Sequence, residues 1–386
     1  MEEKEFIKQF QNPHRKLVLY FSVGIGIALL TMTGIFFAYS HRQVVYTADD
    51  LSREVKKIQA EKVLNPTTST VENKDPEKID EVKKLSLLAT GDIMLDRNVL
   101  YNVQKAGNNY NFPFALIEPY MQQADLRIGN LEGPVTTFTS VAQESRFTFT
   151  FSTKYLDSIK RNFDIVNLGN NHTNNFGAKG LLQARKFLSD AGLSYFGDPL
   201  NSPDYLSTTT EKNGIKIGFV SYMQLANTGF DVVLDEIKRL RPSVDMLIAL
   251  PHWGIEYETE KPWARQQEEA YAMIDAGVDT IIGTHPHVIQ PIEQYNGKTI
   301  FYSLGNFIFD QYFSEETMQG LTVRMNIEKD TTSSTVSYIL QPVVISKRSQ
   351  VSVAPGDVTK TILDHLSQVS IVSSTVQEEI ARGSFK

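Results

Sequence analysis

From Leu85 onward the chain alternates short apolar runs with stretches of helical periodicity. Six apolar runs stand out: KLSLLATGDIM, ADLRIGNLEG, FDIVNLGNNH, VDMLIALPHWG, VDTIIGTHPH and TIFYSLGNF. Short apolar runs closed by glycine, proline or asparagine predict buried strands. Between them, NFGAKGLLQARKFLSDAG places Leu181, Leu182, Ala184, Arg185 and Leu188 near helical spacing and stops at Gly192. PWARQQEEAYAMIDAG opens with a proline in the first turn and stops at Gly277, which is the start and stop chemistry of a helix. Strands alternating with helices predict an α/β architecture. After about Lys329 the pattern becomes β-like, as in STVSYILQPVVIS. The domain is expected over residues 85–345, with residues 346–386 as a C-terminal extension.

One segment departs from this alternation. LVLYFSVGIGIALLTMTGIFFAY, residues 17–39, carries no charge. A bilayer span takes about 20 apolar residues. The competing readings are a buried core helix and a cleaved signal peptide, but the run closes on IFFAYSHRQ, which fits an aromatic interfacial belt better than a cleavage site. Lys4, Lys8, Arg15 and Lys16 precede it, and Arg42 is the only Lys or Arg between it and Arg53. The positive-inside bias therefore predicts a single-pass cell-membrane protein, with residues 1–16 cytoplasmic and the main domain extracellular. Residues 40–84 include NPTTSTVENKDPEKIDEVKK, too poor in apolar groups to offset ordering entropy, and read as a stem.

Composition narrows the function classes. The 386-residue chain has a formal net charge of -7, which argues against nucleic acid as a partner. It contains no cysteine, which excludes thiol catalysis, disulfides and Cys-type zinc sites.

The ends of the six apolar runs carry the chemistry. They lead, in order, to Asp92; to Asn130 and Glu132; to Asn170, Asn171 and His172; to His252; to His285 and His287; and to Asn306. In open α/β sheets ligands bind outside the carboxyl ends of the strands. Asp, Glu, Asn and His without sulfur are the donors of a divalent-metal site. Four of the seven histidines fall in these junctions. Each motif alone has a plainer reading. TGD is a turn or cap, GNNH a left-handed turn, HPH a rigid turn made by Pro286, and PHWG a packing corner for Trp253. Together they predict one polar site.

Taken in order, TGDIM, GNLEGPVT, NLGNNHTNNFG, PHWGIEY, GTHPHVIQPIE and FYSLGNFIFDQ resemble the CapA family of poly-γ-glutamate capsule biosynthesis proteins. That family is similar in fold to the calcineurin-like metallophosphoesterases, so the resemblance implies a two-sheet β-sandwich flanked by helices, here preceded by one transmembrane helix. It implies Asp92 as the first metal-binding aspartate and Glu132 as the bridging carboxylate. Asn171 and His252 become metal ligands, and His285 and His287 a His-x-His pair divided between two metals. His172 becomes the catalytic histidine, with Asp92 completing the site. Two positions depart from the phosphoesterase pattern: Met94 stands where a second histidine belongs, and Glu132 is one methylene longer than the usual aspartate. The resemblance then implies a well-supplied position at Glu132, Asn171, His252 and His285, and a depleted one near His287.

What this implies for function divides three ways. One reading is a metal-assisted hydrolase or transferase using Mn, Zn or Mg, acting on a γ-linked amide or a phosphoester, with His172 as general acid. Another is a non-catalytic assembly or export component that holds poly-γ-glutamate or a related anionic polymer and contacts the membrane subunits of a capsule synthase. The third is a surface metal-dependent phosphoesterase unrelated to capsule. Asn130, Asn170, Arg97 and Asn306 are expected to bind substrate, and Arg97, Arg146 and Arg265 lie near the motifs, where they can pair with carboxylates.

Overall fold

The computed structural model describes residues 82–141 and 147–386. The expected span at 17–39, all but the last residues of the stem, and Arg146 lie outside the described residues. Among those described, no helix is long and apolar enough to cross a membrane.

The strands are, in chain order, β1 (Lys83–Ile93), β2 (Leu126–Leu131), β3 (Val135–Thr136), β4 (Phe151–Ser152), β5 (Ile165–Asn167), β6 (Ser194–Phe196), β7 (Ser207–Lys212), β8 (Ile215–Met223) and β9 (Met246–His252). They continue as β10 (Thr280–Ile282), β11 (Ile292–Tyr295), β12 (Lys298–Phe301), β13 (Asn306–Ile308), β14 (Gln319–Lys329), β15 (Ser334–Ile345), β16 (Val351–Val353) and β17 (Ser384–Phe385). One sheet runs β16-β15-β14-β1-β2-β5-β6, with β13 beside the end of β1 and β17 beside β15. The second runs β11-β12-β10-β9-β8-β7, and β3 and β4 form a small parallel pair. In the first sheet β1, β2, β5 and β6 are parallel, while β14 joins β1 antiparallel. In the second, β8, β9, β10 and β12 are parallel.

Strand periodicity builds the layers, because alternate side chains face opposite sides of a sheet. Leu85, Leu87 and Ala89 of β1 join Ile215, Ile217 and Phe219 of β8 and Met246, Ile248 and Leu250 of β9 in a core between the two sheets. Leu88 faces the other way, into a second core with Val99 and Val103 of the helix Arg97–Lys105. Leu247 and Ala249 face outward from β9 onto the helices Phe230–Leu240 and Ala264–Ala276 through Val233, Ile237, Ala270 and Met273. The result is a two-sheet sandwich with helices on both outer faces, the α/β arrangement expected.

Several expectations need correction. The first strand begins at Lys83, where Lys83 and Lys84 pair with Lys329 and Glu328. The helix Gly177–Asp190 buries Gly180, Ala184, Arg185 and Leu188 but leaves Leu182 64 % exposed, so Leu182 belongs to the solvent face. The helix Ala264–Ala276 is N-capped by Trp263, whose N–H donates to Gln266 Oε1 at 2.8 Å, so Pro262 lies before the cap rather than in the first turn. Residues 346–386 are no appendage. Leu363, Leu366, Val376, Ile380 and Phe385 fill the inter-sheet core, and β17 pairs with β15 through Tyr338 and Phe385.

Candidate functional site

Strand pairing brings the polar ends together. Asp92 at the end of β1 is in register with Asn130 of β2 on one side and Asn306 of β13 on the other, and Asn130 is in register with Asn167 of β5. β1 and β13 approach so closely that a Cβ on Gly91 would lie 1.9 Å from the Gly305 carbonyl oxygen, so only glycine fits. The Asp92 N–H donates to that same carbonyl at 3.0 Å.

Behind the carboxylates runs a chain of amides. Asn170 Oδ1 accepts from the N–H groups of His172 and Thr173 and from the Thr173 hydroxyl. Its Nδ2 donates to Leu131 O at 2.9 Å and to Asn130 Oδ1 at 3.0 Å. Those bonds fix the orientation of Asn130, whose Nδ2 donates to Asp92 Oδ1 at 2.8 Å and also faces Glu132 and His252. Asn306 Nδ2 donates to Thr317 O and Gln311 Oε1. Asn130, Asn170 and Asn306 are fully buried beneath the site. Asn130 and Asn306 hydrogen-bond Asp92 and His287, and Asn170 braces Asn130 and the His172 turn.

The histidines close the constellation. His252 Nε2 lies 2.9 Å from Asn171 Oδ1, and its Nδ1 lies 3.0 Å from Thr284 Oγ1. His285 and His287 both hold positive φ, +99° and +62°. This backbone is disfavoured for residues with a Cβ and is concentrated at functional sites. The turn is held by His285 N–H donating to Asp92 Oδ2 at 3.2 Å and by Tyr257 N–H donating to Pro286 O at 2.8 Å. Because Asn306 Oδ1 is the acceptor facing it at 3.0 Å, His287 Nδ1 carries the proton, which Asp92 Oδ2 also faces at 3.2 Å. His287 Nε2 lies 3.7 Å from Glu132 Oε1. His172 stacks on Phe149 at 4.1 Å, with Nε2 3.9 Å from Glu132 Oε1.

The two carboxyls differ electrically. Burial alone would raise Asp92, but the hydrogen bond and charge of His287, helped by His252 and Asn130, hold it well below the usual carboxylate range. Glu132, buried beside that negative charge, is pushed well above it. Burial also lowers the imidazoles: His172 to about 4, His285 to about 3 with His287 adding to the effect, and His252 well below its ordinary value.

Two donor sets lie within 4.8 Å internally: Asp92, Glu132 and His252, all buried, and His285, His287 and the exposed Glu256. The sets adjoin, the rings of His252 and His285 being 4.8 Å apart. Glu132 Oε1 and His285 Nδ1 are buried without a hydrogen-bond partner. A buried carboxylate oxygen and a buried imidazole nitrogen left open in this way are costly unless something fills the need. Hard oxygen and imidazole nitrogen together fit a divalent cation. His285 stands between the two sets, its ring 4.8 Å from that of His252 and 5.9 Å from that of His287. Met94 does not face the site, since it packs in the outer core and its sulfur accepts the Asp96 N–H at 3.1 Å.

Arg97 lies between the rings of Phe149 and Phe309 and is paired with Asp310, so its first partner is structural. Arg265 is paired with Glu269. Three contributors escaped the sequence reading. Thr284 and Glu256 sit inside motifs already quoted, but neither ends an apolar run. Asn175 Oδ1 faces His172 Nδ1 at 3.1 Å, and its only trace in the sequence is an asparagine three residues after the histidine.

Fold and site together are those of an α/β sandwich with a buried constellation of hard metal donors at its strand ends. The chain belongs to the bacterial capsule synthesis protein family PGA_cap, whose sequence profile matches residues 86–311. It is 32 % identical over 259 residues to the capsule biosynthesis protein CapA of Bacillus anthracis, covering 61 % of this chain and 62 % of that protein. It is 29 % identical over 315 residues to the PGA biosynthesis protein CapA of Bacillus subtilis (strain 168), covering 76 % of this chain and 80 % of that one. The chain thus spans about three fifths and four fifths of these two relatives. Among solved structures it is similar to the calcineurin-like phosphoesterase YfkN from Bacillus subtilis, with a TM-score of 0.40 and 17 % identity over 78 % of this chain and 100 % of that one.

Proposed function

We propose that the chain is a membrane-anchored, extracellular component of capsule-polymer synthesis or export, with poly-γ-glutamate as the polymer and a divalent-cation site at its strand ends. Membership of the capsule synthesis family supports the pathway. The uncharged segment 17–39 with its basic N-terminal flank supports the anchor. Capsule synthase and export subunits of the membrane are the partners this placement favours. The observation that carries the site is the pair of buried, unpartnered donors, Glu132 Oε1 and His285 Nδ1.

Asp92, Glu132 and His252 would hold a cation, with Asn171 and the His285–His287 pair at its edge. Bound there, a divalent ion supplies Lewis acidity toward a substrate oxygen or water. The chain's own residues do the rest. Asn130, braced by Asn170, aims Asp92, and His287 does most to keep that carboxyl ionised. His287 donates its Nδ1 proton to Asn306 and Asp92 and turns Nε2 toward Glu132. His172, expected from the resemblance to be a general acid, is better suited here to accept a proton. Its Nδ1–H is engaged by Asn175, its Nε2 lone pair faces the carboxylates, and burial keeps the ring neutral at ordinary pH. The bond acted on would be a γ-linked amide of the polymer or a phosphoester of its precursor.

Capsule polymer on cells carrying single changes Asp92→Ala, Glu132→Ala or His172→Ala tests this, with the variant chain verified at parental abundance. Loss of polymer in all three is the expected result. Full polymer output from all three would retire a chemical role for the site.

A further inference from the structure

Ten described residues other than glycine hold positive φ. Five are asparagine, which tolerates that backbone, and one is Ser349. The other four are His285 and His287, already placed at the site, and Arg97 and Tyr257, at +52° and +68°. Such backbone concentrates at functional sites. Arg97 opens the helix Arg97–Lys105, and its guanidinium carbon lies 4.8 Å from the centre of the Phe149 ring and 5.4 Å from that of Phe309. Phe149 stacks on His172, and the Phe309 ring is 4.7 Å from that of His287. The Tyr257 ring also lies beside His287, at 6.3 Å. One dipeptide holds both residues. Asp310 accepts from the Arg97 guanidinium and takes the Asn98 N–H at 3.1 Å. Gln311 Nε2 donates to the Tyr257 hydroxyl at 3.2 Å, while Asn306 Nδ2 fixes Gln311 Oε1 at 3.0 Å. With Gln311 as donor, the phenol gives its own proton away, and the exposed Glu256 faces it. The positive charge of Arg97 reaches Glu132, His172 and Tyr257.

We propose that Arg97 and Tyr257 bind an oxyanion of the substrate, a carboxylate or a phosphate, at the mouth of the strand-end site. This rests on the reading that the strand ends act on a substrate. A guanidinium carries five N–H donors in a rigid fork, more than one carboxylate engages. Asp310 and the two phenyl rings hold that fork in place, so little side-chain freedom is left to lose on binding. The Arg97 side chain is 17 % exposed and Tyr257 is 44 % exposed, so both can meet a ligand. A phenol stays protonated at neutral pH and donates. The bound oxyanion takes the place of Glu256 as its acceptor, and the Glu256 carboxylate turns to solvent. Two sources share this chemistry: the free α-carboxylates that a γ-linked glutamate chain leaves, and the phosphate of a precursor.

The test is calorimetric titration of the purified full-length chain with inorganic phosphate and, separately, with glutarate, in Mn²⁺ and in chelator, with bound metal measured alongside. The parent is expected to bind at least one of the two anions. Arg97→Ala should weaken that binding at least about tenfold, and Arg97→Lys should restore part of it. Tyr257→Phe should weaken it about threefold or more, and all three variants should retain parental metal. Stronger binding of glutarate points to the carboxylates of the polymer and stronger binding of phosphate to a precursor; either supports the pair. No binding of either anion by the parent, or parental affinity in Arg97→Ala and Tyr257→Phe, overturns the proposal. Binding that needs Arg97 in a chain that retains no metal overturns the cation reading alone. Tyr257 is half-exposed, so Tyr257→Phe should melt at the parental temperature and keeps the test decisive if Arg97→Ala misfolds.

Discussion

Asn175 Oδ1 lies 3.1 Å from His172 Nδ1 and accepts the Phe149 N–H at 2.7 Å. The second bond fixes which end of the amide faces the imidazole, because a backbone N–H must meet an oxygen. His172 is therefore a neutral ring protonated at Nδ1, with burial holding it down to about 4. Replacing Asn175 by Asp puts a carboxylate against that proton and should raise the His172 midpoint, while Asn175→Ala should free the tautomer without raising it as far. Nitrogen-15 histidine spectra recorded across pH on the metal-free chain read both. A midpoint for Asn175→Asp no higher than the parent's would show that Asn175 does not set the ring's state.

The buried imidazoles also set an acid limit. His172, His252 and His285 all titrate lower in the folded chain than the ordinary histidine value of about 6.5. Below that value the unfolded chain binds more protons than the folded one, so stability falls with falling pH. The loss should start near pH 6.5 and continue to about 4 for His172 and about 3 for His285. Melting temperatures in chelator should decline over that window, and His172→Gln should shallow the decline. A flat profile between pH 6.5 and 5 would contradict the burial of neutral rings.

Packing predicts a contrast between two leucines. Leu366 is 2 % exposed and sits in the inter-sheet core, whereas Leu182 is 64 % exposed on the solvent face of its helix. Leu366→Ala should cost about 2–5 kcal/mol by transfer and cavity terms. Leu182→Ala should stay within about 0.5 kcal/mol of the parent. Denaturant midpoints with slopes decide it. Equal effects would mean that residues 346–386 are not part of the core.

The junction of β1 and β13 predicts a fourth effect. Ala at Gly91 would place its Cβ 1.9 Å from the Gly305 carbonyl oxygen, a backbone atom that cannot swing aside. Gly91→Ala should lower stability by about 3 kcal/mol through overpacking and should displace Asp92, which follows it. Parental stability with parental metal content would show that the two strands are not so tightly joined.

These contrasts mark where the sequence was legible. Asp92, Glu132, Asn171, His252, His285 and His287 could be read because each closes or directly follows an apolar run, a local signal that needs no partner. The same signal named Asn130, Asn170 and Asn306 but not their role. Whether an amide touches substrate or braces a carboxylate depends on strand register, which crosses the chain. Glu256 and Asn175 follow no apolar run: the pairing of distant turns brings Glu256 to the site, and a local turn sets Asn175 against His172. The last helices hid for a similar reason. Ile362, Leu363 and Leu366, and Val376 and Ile380, have helical spacing, but they follow the last polar-ended run and the closing strand is only Ser384–Phe385.

Whether the strand ends hold a divalent cation is decided by bound metal. The purified full-length chain, incubated separately with Mn²⁺, Zn²⁺ and Mg²⁺ and then desalted, would be assayed by mass spectrometry beside His252→Ala and Glu132→Gln. The parent should retain at least about one ion per chain of one of these metals, and both variants should retain markedly less, since each removes a ligand of the buried set. Negligible metal in the parent under all three conditions, or parental retention in His252→Ala and Glu132→Gln, would contradict a cation at the strand ends.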